Sequence, residues 1–205
     1  MMKAFIPVAL VSALCSSVVL AHNEGDFFVR GGAAIVMPNE SSDDVGGNEL
    51  KIDDDTQLAA TFTYMATDNI GVELLLATPF THDVKLDGNK VAEVSQLPPS
   101  LMVQYYFAQA DSKIRPYVGA GVNYTFFFDE KGKGVLSNDD INVDDSMGWT
   151  VQAGVDAKFA ENWFANASIW YMDIDTDVRT ETETVGTIHT EIDPVSVMLG
   201  VGYTF

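Results

Sequence analysis

From residue 24 onward this chain repeatedly alternates: residues of one parity are apolar or uncharged, and the charges fall on the other. Ile70, Val72, Leu74 and Leu76 form one such row, with Glu73 set between them. Eight rows follow the rule: Phe27 to Ile35, Leu58 to Tyr64, Ile70 to Leu76, Leu97 to Phe107, Val118 to Phe126, Trp149 to Phe159, Trp163 to Tyr171 and Val195 to Phe205. A repeat of two is the repeat of a β-strand, whose successive side chains point to opposite faces; a helix would repeat every 3.6 residues. The expected class is therefore all-β.

The connections alternate as well. Segments 67–69, 108–113 and 160–162 are short, whereas 37–56, 80–95, 128–147 and 173–193 are long and acidic. Short turns at one end and long loops at the other describe an antiparallel up-and-down sheet of eight strands, and closure into a barrel removes its two exposed edges.

Two kinds of barrel use this pattern in opposite senses. A lipocalin-type barrel turns its apolar face inward, and an outer-membrane barrel turns it toward lipid. No charged residue stands on the uniform face, as hydrocarbon requires, since a Lys or Arg there costs about 2–4 kcal/mol at the midplane. Aromatic residues gather near the ends of that face: Phe27, Tyr64, Tyr105, Phe107, Phe159, Trp163, Tyr203 and Phe205 at the short-turn end, Tyr124, Phe126, Trp149 and Tyr171 toward the other. Such girdles mark membrane interfaces. The transmembrane barrel is the expectation.

The 205 residues suit a single domain, read as 22–205. Before it, Lys3, an apolar stretch from Ala4 to Leu14 and small residues up to Ala21 have the form of an export signal cut after Ala21. Cleavage removes Cys15, the one cysteine, leaving no thiol for disulfides, zinc or catalysis. The formal net charge of −19 excludes nucleic acid as a partner.

The opposite, inward parity holds the residues of functional interest. Arg30, Glu73, Arg115, Asp156 and Lys158 all stand within a few residues of the short-turn end. Cations and anions confined in one narrow lumen should pair and form a polar plug. Further up, the same parity carries Leu75, Met102, Trp170 and Met198, which predict an apolar upper lumen. Pro79 closes one strand and Pro98 and Pro99 open its neighbour. Proline cannot donate to a ladder, so these three mark a candidate lateral opening. Asp173, Asp175 and Asp177 lack the rest of a calcium-loop pattern, and His22, His82 and His189 do not form a catalytic constellation. Neither a metal, a cofactor nor an enzymatic activity is expected.

TFTYMATDNIGVELLLATPF (61–80), LPPSLM (97–102), KIRPYVGAGVNYT (113–125), WYMDIDT (170–176) and the terminal GYTF resemble the outer membrane protein W family of Gram-negative bacteria. The resemblance implies an eight-stranded outer-membrane barrel with an apolar channel that helps small hydrophobic molecules cross. It also places Leu75 and Trp170 at inward apolar positions. The acidic stretches 41–55 and 129–145 match the family poorly, so solute identity and receptor roles do not carry over. The partners anticipated are outer-membrane lipids and lipopolysaccharide, small hydrophobic solutes, and the barrel-assembly machinery acting through Phe205. The alternative function is a plugged structural or receptor barrel whose acidic loops bind an external partner.

Overall fold

The structure, a computed structural model, describes residues 22–39, 41–42, 50–86, 89–134, 137, 141–180 and 187–205. The export signal read at 1–21 lies outside the described residues. In chain order the strands are β1 (Phe27–Met37), β2 (Ser41–Ser42), β3 (Leu50–Ile52), β4 (Asp55–Met65), β5 (Ile70–Ala77), β6 (Phe80–Leu86), β7 (Asn89–Leu97) and β8 (Ser100–Tyr106). They continue with β9 (Ile114–Gly132), β10 (Ile141–Val143), β11 (Ser146–Lys158), β12 (Trp163–Met172), β13 (Asp175–Thr180), β14 (Thr187–Glu191) and β15 (Val195–Thr204).

Eight of these form the barrel wall, in the order β11-β12-β15-β1-β4-β5-β8-β9, and pairing of β9 with β11 closes it. Every neighbouring pair in the wall is antiparallel. Register carries the facing rule around the ring: Phe28 pairs with Thr204, Arg30 with Gly202 and Asp156 with Arg115, inward residue against inward residue. A slip of one residue would turn a whole row of leucines and valines into the lumen.

The uniform rows face outward. Leu58 is 68% exposed, Leu199 65% and Val103 56%, while Arg30 and Glu73 on the other face are 0% exposed. A surface that leaves this much aliphatic side chain bare, with aromatic pairs such as Trp163 against Tyr203 and Trp149 against Tyr171 near its ends, is matched to lipid and not to water.

The long connections differ from the sequence reading. They hold strands: β6 and β7 make a hairpin that continues onto β9, with β3 on its outer edge, and β10-β13-β14-β2 make a separate four-stranded sheet. Acidic side chains concealed the repeat there. Ile174 and Thr176 are buried while Asp175 is exposed, so the alternating aspartates reflect strand periodicity.

Candidate functional site

The lumen is filled in two layers. The lower layer centres on Arg30 of β1. Its Nε and Nη2 donate to Asp156 Oδ1 and Oδ2 at 3.1 and 2.6 Å, a two-pronged pairing that suits the planar guanidinium. Nη1 donates to Glu73 Oε2 at 2.6 Å and to Thr63 Oγ1 at 3.1 Å. The polar contacts then run in a ring. Arg30 Nη2 donates to the Tyr106 hydroxyl (2.7 Å), which donates to Gln104 Oε1 (2.9 Å). Gln104 Nε2 donates to Gln152 Oε1 (2.8 Å), and Gln152 Nε2 donates to Glu73 Oε1 (3.0 Å). Asn166 Nδ2 adds a bond to Asp156 Oδ1 at 2.8 Å. Both carboxylates are thus held by several donors, the condition under which buried ions become tolerable.

Aromatic rings cover this network. Phe28, Met65, Tyr106, Tyr117 and Phe164 form one buried cluster, with the Arg30 guanidinium 4.7 Å from the Phe28 ring and 4.9 Å from that of Tyr117. Tyr117 and Phe164 fit because the wall beneath them is glycine: a Cβ at Gly202 would come within 2.1 Å of the Phe164 ring, and one at Gly154 within 2.4 Å of the Tyr117 ring. The small inward residues therefore accommodate rings that cross the lumen.

Of the five charges anticipated, the geometry draws Arg30, Glu73 and Asp156 together. Arg115 differs. It is buried, but its guanidinium donates to the main-chain carbonyls of His22, Asp68 and Ala108, so it ties down the turns below the network. Lys158 stands half-buried at the turn end of β11, two residues past Asp156, where its main-chain N–H bonds Lys113. His22 was not anticipated as a lumen residue. It is 1% exposed, its ring lies 4.1 Å from Phe28 and 4.7 Å from Phe164, and its Nε2 is 3.2 Å from Asp156 Oδ2. The segment preceding β1 thus folds back under the barrel and seals its floor. Tyr106 and Tyr117 could have been found from parity, since Tyr106 lies between Tyr105 and Phe107 of one outward row and Tyr117 immediately precedes Val118 of the next. No local pattern marks His22.

The upper layer is apolar. Leu75, Met102, Trp170 and Met198 are all buried in a single cluster with Ala34, Ala59, Met172, Ile174 and Ile192. Above Met102 and Met198 a small, mostly apolar pocket opens. Leu75 and Trp170 line it, and so do Phe80, Gln96, Pro98 and Ser196. Gln96 was missed because it falls between the connection read at 80–95 and the row that begins at Leu97.

The three prolines flank a gap in the wall. Pairing of β5 with β8 ends at Leu75 opposite Ser100, and pairing resumes as β6 with β7 at Phe80 opposite Gln96. Residues 76–79 and 97–99 lie between. Pro98 is buried against the pocket, Pro99 is half-buried and Pro79 is exposed. In the outer sheet, exposed Asp175, His189 and Glu191 bring ligand-type atoms within 4.8 Å of one another, the one group of described residues suited to a cation.

A closed eight-stranded antiparallel barrel with an apolar, aromatic-girdled exterior and a charged, filled lumen defines an integral protein of the bacterial outer membrane. Residues 23–205 match the model of the OmpW family, and the chain belongs to that family. It is 45% identical to outer membrane protein W of Vibrio cholerae over 97% of each chain. Among solved structures it is similar to the crystal structure of OprG from Pseudomonas aeruginosa, with TM-score 0.86 and 39% identity over 91% of this chain and 99% of that one. It is also similar to outer membrane protein AlkL in lipid bilayers, with TM-score 0.72 and 26% identity over 95% and 97%.

Proposed function

We propose that this barrel is a passive, non-catalytic conduit for small hydrophobic molecules. Solutes enter from the long-loop side, rest against Leu75 and Trp170 above Met102 and Met198, and leave sideways into the membrane. The observation that carries this reading is the pairing of an apolar pocket with a sealed floor: below the pocket, the Arg30–Glu73–Asp156 network and the His22 segment leave an apolar solute no straight route down. The interrupted ladder between Leu75–Ser100 and Phe80–Gln96 supports the side exit, because the wall there lacks the backbone bonds that would have to break. The same reading takes residues 1–21 as a signal cut after Ala21 and Phe205 as the signal for barrel assembly.

Charged replacements test it. Leu75→Glu with Trp170→Glu should cut uptake of apolar compounds by cells at least tenfold, while the folded barrel still resists SDS before heating. Unchanged uptake with an intact barrel would refute the conduit and favour the plugged receptor alternative.

A further inference from the structure

Gln96, Trp170 and Ser196 are the pocket-lining residues whose side chains can form hydrogen bonds. All three are at least nine-tenths buried, at 2%, 2% and 4% exposure. Each keeps a polar atom that finds no partner among the described residues: Gln96 Oε1, Trp170 Nε1 and Ser196 Oγ. Trp170 and Ser196 are cross-strand neighbours on β12 and β15, whereas Gln96 reaches the pocket from β7.

Gln96 is oriented by a relay. His82 Nδ1 lies 2.9 Å from the Asp53 carbonyl, which can only accept, so Nδ1 carries the proton and Nε2 is left as acceptor. Gln96 Nε2 donates to that Nε2 at 2.9 Å. The amide nitrogen is therefore committed, and the acceptor Oε1 is the amide atom left without a partner among the described residues.

The set comprises one donor, one acceptor and one hydroxyl able to donate, in otherwise apolar walls. All three atoms are shut away from solvent, and a buried polar atom without a partner is unfavourable. We propose that the pocket selects neutral solutes that combine an apolar body with a single hydroxyl, such as a medium-chain primary alcohol or an alkylphenol. A hydroxyl oxygen accepts two bonds and donates one, which answers Trp170 Nε1–H, Ser196 O–H and Gln96 Oε1 together. A ketone or ester leaves Gln96 Oε1 unanswered, and a hydrocarbon leaves all three. A carboxylate meets no cation in the lining, since Arg30 is committed to Glu73 and Asp156 in the layer beneath. This inference deepens the conduit reading and rests on it.

The test uses the full barrel in lipid nanodiscs with ¹⁵N-labelled tryptophan, the Trp170 indole signal being assigned by its loss in Trp170→Phe. Titration with 1-octanol should move that signal downfield, as an indole N–H does on gaining an acceptor, at concentrations at least tenfold below those at which n-octane produces any change. Gln96→Leu should reduce this preference about five- to tenfold, the value of one neutral hydrogen bond. Ser196→Ala, which disturbs packing least, should lower it in the same direction. An equal response to both solutes overturns hydroxyl selection and leaves the conduit standing. A response to neither overturns the selection and the conduit together.

Discussion

Arg30→Met removes the one guanidinium that joins both buried carboxylates. In the structure that group makes two bonds to Asp156 and one to Glu73, all with side chains at most 2% exposed. Methionine nearly fills the space but leaves two anions in an enclosed lumen whose remaining partners are the neutral donors Thr63, Gln152 and Asn166 and the His22 ring. Breaking a buried pair by removing one partner costs about 3–5 kcal/mol, whereas replacing every member with neutral groups is close to even. Arg30→Met should therefore unfold at markedly lower urea than the parent in lipid vesicles, as read from the gel shift between folded and unfolded barrel. The triple change Arg30→Met, Glu73→Gln, Asp156→Asn should recover most of the loss. If the triple variant is as unstable as Arg30→Met alone, the cost lies in ring stacking on Phe28 and Tyr117, and the ionic argument fails.

Other outcomes follow from the same geometry. Gly202→Ala puts a Cβ into the Phe164 ring and should cost about 1–3 kcal/mol, with Phe164→Leu in the same chain restoring most of it; simple additivity of the two changes would refute the clash. Pro98→Val with Pro99→Val returns two N–H donors to the interrupted seam and should slow apolar-solute uptake severalfold while raising the temperature of the gel shift; unaltered uptake would remove the seam from the pathway.

Parity alone revealed most of the wall. Because side chains alternate strictly along a strand, the sequence determined which residues meet lipid and which meet the lumen, and so put Arg30, Glu73, Leu75 and Trp170 inside. The strands in the long connections were hidden because their exposed face is acidic and their buried face mixes Ile174 with Thr176 and Thr190. With them went Gln96 and its relay from His82.

Partnership is a different kind of property. Arg30 meets Asp156 across 126 positions of sequence, and that meeting depends on the stagger with which eight strands close. The tertiary structure gave Arg30 both carboxylates, turned Arg115 to carbonyls and folded His22 beneath the floor. Facing is local, set by the geometry of one strand; who faces whom, and at what depth, exists only once the sheet has closed.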